Sequence, residues 1–452
     1  MSTKDFMQKL NEKDKEIFDT IKNELQREEE GLEMIPSENN ISLAVIQAMG
    51  SIFNNKYSEG YSHKRYYGGQ KFVDQMEDIA INRAKKLFKV PHANIQPYSG
   101  SPANLAVYLA CLKPGDTIMG LNLSDGGHLT HGFKVSATGQ FYNSISYHVK
   151  EDGYIDLEEV AALAREHKPK LIWCGATAYP REFPFEEMSK IADEVGAYFA
   201  ADIAHIAGLV IGEVHKSPVP FAHIVTSTTH KTLRGPRGGL ILVTKKGLEK
   251  DAELAKKIDS AVFPGLQGGP HDHINAAKAV AFKEALTPEF KDYAKQIVLN
   301  SKALATTLME NGIKLVSNGT DNHLCLIDLT PFGNGKGLFV QEALDESGIT
   351  TNKNTIPKEP FSPFYPSGLR LGTPSLTTRG MKEKEMKQIA NWISEIIKLF
   401  AVYEMPVDKV QRMESIKKFK QELKSNERIK QIQREVVALA KSFPLYPNLK
   451  LE

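Results

Sequence analysis

Between about residue 72 and residue 245, apolar and polar positions follow two rhythms that take turns along the chain. Stretches such as VDQMEDIAINRAKKLF, ANLAVYLACL, LEEVAALAREH and FEEMSKIADEVG place apolar residues three and four apart, the spacing of one helix face. Between them, TIMGLNL, LIWCGATAY, AYFAAD, HIVTSTT and GLILVTK are short apolar runs separated by turns such as KPGD. Apolar strands alternating with amphipathic helices predict an α/β fold, with a mostly parallel sheet covered on both faces.

The rhythm changes near residue 285. A long helix, EFKDYAKQIVLNSKALATTLMENG, precedes the strands HLCLIDLT and LRLGTPS and a helix that sets Met386, Ile389, Ile393, Ile396, Ile397 and Phe400 on one face. This texture predicts a smaller α+β unit, with the charged tail ESIKKFKQELKSNERIKQIQREVVALAKSF as a surface helix pair upon it. At the other end, Phe6, Leu10, Ile17, Ile21 and Leu25 fall at helical spacings, and Glu28, Glu29 and Glu30 read as a solvated end. Residues 31–70, dense in Gly, Ser, Asn and Tyr, predict loops ordered by their aromatics. The expected division is an arm over 1–55, a large domain over 56–285 and a small domain over 286–452.

Composition narrows the partner. The 452 residues carry 57 Lys+Arg against 55 Asp+Glu with the signs mixed, so nothing suggests a nucleic-acid or membrane-surface binder and a small molecule is expected. The opening MSTKDFMQKL has no apolar leader core, and no run approaches the ~18 apolar residues of a membrane span, which predicts a cytoplasmic protein. Cys111, Cys174 and Cys325 are far apart among apolar neighbours and read as isolated buried thiols.

Ligands of an open α/β sheet collect beyond the carboxyl ends of its strands, so the polar residues there are the candidates. In Tyr98-Ser99-Gly100-Ser101-Pro102-Ala103-Asn104, Ser101 reads as an N-cap and Pro102 as the first helical residue, a start whose free N–H groups suit a phosphate. Asp202 ends a strand, where a buried acid needs a cationic partner. Lys231 follows the next strand and is a candidate Schiff-base lysine. Gly126 to Gly132 supply His128 and His131. Separately, these are a helix cap, a solvated lysine and ordinary loops. Jointly they allow a metal site built from His128, His131, Asp202, His205 and His230, or a pyridoxal phosphate site. The cofactor reading also employs the cap and Lys231, and it is preferred, with no metal expected.

The motifs MIPSENN, NKYSEGYSHKRYYGG, YSGSPAN, LSDGGHLTHG, DIAHIAGLV, IVTSTTHKTLRGPRGG, SAVFPGLQGGP, SNGTDNHL, TTNKNTIP and SGLRLGTPS stand in this order over about residues 30 to 400. In them the sequence resembles the serine hydroxymethyltransferase family, fold-type I pyridoxal-phosphate enzymes that exchange a one-carbon unit between serine and tetrahydrofolate. The resemblance implies pyridoxal 5'-phosphate held covalently by Lys231, with Asp202 on its ring nitrogen and His128 stacked on its ring. Ser99, Gly100 and Ser101 then form the phosphate cradle, with Thr177, where the family usually has Ser, and Thr228 also against the cofactor. Arg370 matches the arginine that holds the amino-acid carboxylate, with Ser37 and His205 nearby, and His230 matches the histidine that shapes specificity.

Glu59 matches an acid between the hydroxymethyl carbon and the folate, with Tyr57 and Tyr67 around it. Leu123, Gly127, His128, Leu129, Asn352 or Asn354, and Ser362, Pro363 and Phe364 match the folate surface. Tyr57, Glu59, Tyr67, Gly268 and Gly269 are implied to reach the neighbour's site, which makes a homodimer with shared active sites and leaves pairing into tetramers open. The implied reaction interconverts L-serine and tetrahydrofolate with glycine and 5,10-methylenetetrahydrofolate. Its rivals are folate-independent threonine aldolase-type cleavage and a catalytically silent scaffold on the same fold.

Overall fold

The computed structural model describes residues 10–447 and 449; Phe6 of the predicted arm helix lies outside them. Seven strands make the main sheet: β1 (His92–Asn94), β2 (Thr117–Leu121), β3 (Asn143–Tyr147), β4 (Leu171–Cys174), β5 (Tyr198–Asp202), β6 (Ile224–Thr228) and β7 (Gly239–Val243). Their order is β1-β7-β6-β5-β4-β2-β3, and β7 alone runs antiparallel to its neighbours. The apolar runs predicted as strands are strands, while β1 and β3, half-polar in sequence, were not foreseen. Alternation within each run explains the double burial. Leu171 and Trp173 enter the core on one face of the sheet, and Ile172 and Cys174 the core on the other.

The helices α1 (Lys15–Glu30), α2 (Lys71–Phe88), α3 (Gly100–Cys111), α4 (Leu157–His167) and α5 (Phe185–Glu194) agree with the predicted periodicities to within a few residues. Beyond them lie α6 (Asp272–Ala285), α7 (Pro288–Glu310), α8 (Gly337–Glu346), α9 (Glu383–Phe400), α10 (Lys409–Ser425) and α11 (Glu427–Lys441). A second, antiparallel sheet joins β8 (Leu324–Asp328), β10 (Gly368–Gly372) and β9 (Asn352–Asn354), with β10 central. No helix among the described residues is long and apolar enough to cross a membrane.

Helix α7 belongs to both units. Its first half places Phe290, Tyr293, Ala294 and Ile297 in the core under the large sheet, and its second half places Leu304, Ala305 and Leu308 in the core of the small one. The N-terminal segment is likewise built in: Leu32 and Glu33 pair with Ile349 and Thr350, and Leu32 and Met34 are fully buried in the small core. The tail differs from a surface pair, since Phe419, Leu423, Ile429, Ile432, Val436 and Ala440 complete that core. Among the cysteines, Cys174 and Cys325 are buried and Cys111 is half-buried.

Around α1 the expected face is turned. Phe18 is its buried residue, while Ile17 and Ile21 are exposed. Glu28, Glu29 and Glu30 are partly buried rather than solvated. The cause is Arg379, whose guanidinium donates to the carbonyls of Glu28, Glu29 and Gly31 at the end of α1 and to those of Ala440 and Phe443 at the end of α11. One cation thus satisfies the orphan carbonyls of two helix ends. Nor do aromatics hold the whole of 31–70: Tyr61 donates to the Asp259 carbonyl at 2.6 Å, but Tyr57, Tyr66 and Tyr67 are exposed. We expect Arg379→Met to lower stability by about 3 kcal/mol, the scale of charge-assisted bonds lost and carbonyls stranded. A urea midpoint equal to that of the parent chain, with no faster proteolysis of α1, would refute this role.

Candidate active site

Helix α3 starts earlier than its sequence suggested. Its N-cap is Ser99, extended at φ −159° and ψ −177°, so Ser101 and Pro102 are the second and third helical residues. Close packing sets the start. A Cβ on Gly100 would come within 2.8 Å of Thr228 Cγ2, and one on Gly239 within 2.3 Å of the Ser99 carbonyl oxygen. Glycine at both places lets β6, β7 and the helix start approach. The Ser99 side chain caps nothing, and the N–H groups of Gly100 and Ser101 bond to no other described residue. Unspent donors at the positive end of a twelve-residue helix attract an anion.

Asp202, the last residue of β5, is held by three N–H donors. Asn104 Nδ2 donates at 2.9 Å and His131 Nε2 at 3.2 Å to one oxygen, and the Ala204 backbone N–H donates at 3.0 Å to the other. Burial alone would raise its pKa, but the hydrogen bond and charge of His131, with His128 and Asn104, hold it well below the usual carboxylate range. His131 is itself fixed by stacking on Trp173, ring centroids 5.0 Å apart. Burial lowers His128 to about 4, so it is neutral at pH 7, and its Nδ1 is engaged by Thr130. His128, His131 and Asp202 bring ligand-type atoms within 4.8 Å of one another, without His205 or His230. With its oxygens already taken by N–H donors, the carboxylate is arranged as a fixed anion.

Two cations face it across the site. Lys231 is buried and makes no ion pair among the described residues. Burial lowers its amine to about 8, Asp202 pulling the other way and Arg370 and Arg237 adding to the fall. Arg370, from the central strand β10 of the small sheet, donates from Nε to Asn352 Oδ1 at 3.1 Å and from Nη1 to the Thr177 carbonyl. It is 9 % exposed, yet it too has no carboxylate partner among the described residues.

A cavity of about 520 Å³ unites the start of α3, His128, Lys231 and Arg370, while Asp202 is not among its lining residues. It is lined by the expected Ser37, Ser99, Gly100, Ser101, Leu123, Gly127, His128, Leu129, Thr177, His205, Thr228, His230, Lys231, Asn354 and Arg370. An adjoining cavity of about 530 Å³ shares Leu123, His128, Thr177 and Asn354 and adds Pro363. Asn352 braces Arg370 instead of lining either, and Ser362 and Phe364 also line neither, Phe364 being exposed. Tyr57, Glu59, Tyr67, Gly268 and Gly269 form a separate cluster outside both cavities. There Tyr57 donates to Glu59 at 3.2 Å, the rings of Tyr57 and Tyr67 meet edge to face at 5.2 Å, and a Cβ on Gly269 would come within 3.3 Å of the Tyr57 ring.

With this arrangement in view, comparison with known proteins is decisive: the family model of serine hydroxymethyltransferase matches residues 10–393. The chain belongs to the serine hydroxymethyltransferase family. A serine hydroxymethyltransferase of Paracoccus denitrificans (strain Pd 1222) is 56 % identical to it over 393 residues, which cover 87 % of this chain and 90 % of that protein.

In this member of the serine hydroxymethyltransferase family, several site residues had escaped the sequence reading. Asn104 and His131 hold Asp202, and Glu38 and Arg237 line the cavity. Asn104 was detectable as the residue three places after Ser101 on the same helix face. In the sequence His131 reads only as a metal ligand. Glu38 and Arg237 stand beside motif residues but carry no local pattern that marks them.

The lowered Lys231 amine has a direct readout. Reductive alkylation with a small aldehyde and cyanoborohydride needs a neutral amine, so labelling of Lys231 in the ligand-free chain should rise through about pH 8, below exposed lysines. Site-resolved mass spectrometry measures this, and a Lys231 profile that coincides with the exposed lysines would contradict the assignment.

Proposed function

We propose that this chain interconverts L-serine and tetrahydrofolate with glycine and 5,10-methylenetetrahydrofolate, using pyridoxal 5'-phosphate carried on Lys231. The observation that carries the reading is the pair of buried cations, Lys231 and Arg370, neither in an ion pair among the described residues, in one cavity with the open start of α3. The residues fit the cofactor. Unbonded N–H groups and hydroxyls at Ser99, Gly100 and Ser101 suit its phosphate, Lys231 offers a reactive amine, and the ionised Asp202 suits a protonated ring nitrogen. When bound, pyridoxal phosphate supplies an electron sink for the pair left on Cα as the Cα–Cβ bond of serine breaks.

The side chains do the rest. Arg370 takes the serine carboxylate through its remaining N–H donors, the bidentate geometry that guanidinium favours. Braced by Asn352 and the Thr177 carbonyl, it loses little freedom in doing so. His128 and His230 stay neutral because burial lowers them to about 4 and about 3, so they shape the cavity without adding charge. Asp202, fixed by three donors, keeps a negative charge in place where the ring nitrogen needs its proton. The adjoining cavity, walled by Leu123, Asn354 and Pro363, is the place for the folate.

Glu59, Tyr57, Tyr67, Gly268 and Gly269 complete the site of a second subunit in a homodimer. Their absence from the lining of their own chain's cavity supports this, as does the exposure of Tyr57 and Tyr67, at 55 % and 48 %, along with that of Ile52 and Tyr66.

The decisive test is serine cleavage by the cofactor-loaded chain with and without tetrahydrofolate. Strong acceleration by the folate is expected; equal rates, with threonine cleaved faster than serine, would reassign the chain to folate-independent aldol cleavage. Arg370→Ala should cost about 2–5 kcal/mol in kcat/KM for serine, the scale of losing one partner of a buried charge pair. Arg370→Lys should recover only part of that, because an ammonium lacks the planar fork. An unchanged serine KM in Arg370→Ala would refute the carboxylate role.

A further inference from the structure

His205 follows β5 on the large unit, and its ring lines the Lys231 cavity. Its Nδ1 lies 3.1 Å from Nε2 of His323, which stands immediately before β8 on the small unit. Both rings are buried, His323 completely. Burial, with the nearby positive charge of Lys231, pushes both pKa values well below the ordinary histidine range, so the pair is neutral and shares one proton along the contact. Two tautomeric arrangements satisfy that bond. Either His323 Nε2–H donates to His205 Nδ1, or His205 Nδ1–H donates to His323 Nε2.

The far side of His323 separates them. Its Nδ1 is buried and has no hydrogen-bond partner among the described residues. In the second arrangement that atom would carry a proton and leave an orphaned N–H in the interior, the kind of buried donor that folded proteins almost never tolerate. In the first it is a bare nitrogen, and both rings take the Nε2–H form that imidazole prefers intrinsically. His205 then has its proton on Nε2, its other polar atom.

We infer that His323 is a positioning residue that locks His205 as an Nε2–H donor toward the cavity, so that His205 recognises an oxygen acceptor there. The lock crosses the two units. His323 sits in a segment tied to the strip after β4, where Asn322 Nδ2 donates to the Tyr179 carbonyl at 3.0 Å and Thr320 Oγ1 to the Pro180 carbonyl at 3.1 Å. His205 is held from below by Thr232 Oγ1, which donates to its carbonyl at 2.8 Å. The tautomer assignment does not depend on the proposed reaction; only its effect on serine turnover rests on that reading.

The test is the tautomer itself. In the uniformly ¹⁵N-labelled holoenzyme, two-bond ¹H–¹⁵N spectra report which ring nitrogen is protonated, with the His205 signals assigned by their loss in His205→Gln. His205 should show the Nε2–H pattern, and an Nδ1–H pattern overturns the proposal whatever any variant does. His323→Leu should turn His205 into a mixture of tautomers and reduce kcat/KM for serine by about 10-fold, the low end of what loss of an outer partner costs a metal-bound histidine. His323→Gln, whose amide N–H replaces the donor, should keep the pattern and most of the activity. A parental tautomer pattern in His323→Leu also overturns the proposal, and that readout stands even if serine is not the substrate.

Discussion

Burying a cation without a carboxylate is the constraint around which this molecule is arranged. Lys231 and Arg370 are both withdrawn from water, and among the described residues neither forms an ion pair. Such groups survive folding only if backbone carbonyls and amides hold them or if the chain is stable enough elsewhere to carry the deficit. Both answers are visible. Arg370 leans on Asn352 and the Thr177 carbonyl, and two large apolar cores stand behind the site. The deficit is a standing attraction for anions, which a bound phosphate and carboxylate would relieve.

The same constraint accounts for the treatment of Asp202. Left in simple contact with Lys231, it would neutralise the amine and remove the field that the site needs. Instead its oxygens are occupied by Asn104, His131 and the Ala204 N–H, and its charge is directed by groups from α3, from the loop after β2 and from the turn after β5. Three separate elements converge on one carboxylate because all of them end at the same edge of the sheet.

That edge was legible in the sequence, since apolar runs reveal strands and the residues after them are the candidates. Strands β4 and β7 carry no polar side chain and β5 and β6 are apolar over their first residues, with Asp202 ending β5 and Lys231 standing just beyond β6. Strands β1 and β3 escaped because they lie at the sheet's two ends and keep polar residues. The early start of α3 escaped because it depends on how closely Gly100 and Gly239 let other strands approach, a contact no local pattern encodes. His323 escaped for the same reason, standing 118 positions along the chain from its partner. The setting of Glu28 to Glu30 goes with Arg379, and the burial of the tail with apolar residues that meet the small core, neither of which a charge pattern foretells. Motif resemblance reached what periodicity did not, placing Tyr57, Glu59 and Tyr67 together before any coordinates did.

Arg379 also ties events in time. A chain is made from its amino end, so the carbonyls of residues 28 to 31 leave the ribosome long before the guanidinium that satisfies them, and the carbonyls of 440 and 443 come later still. The packing of α1 against α11 therefore waits for nearly the whole chain. The exposed Ile17 and Ile21 of α1 therefore reach their final setting only on a finished molecule.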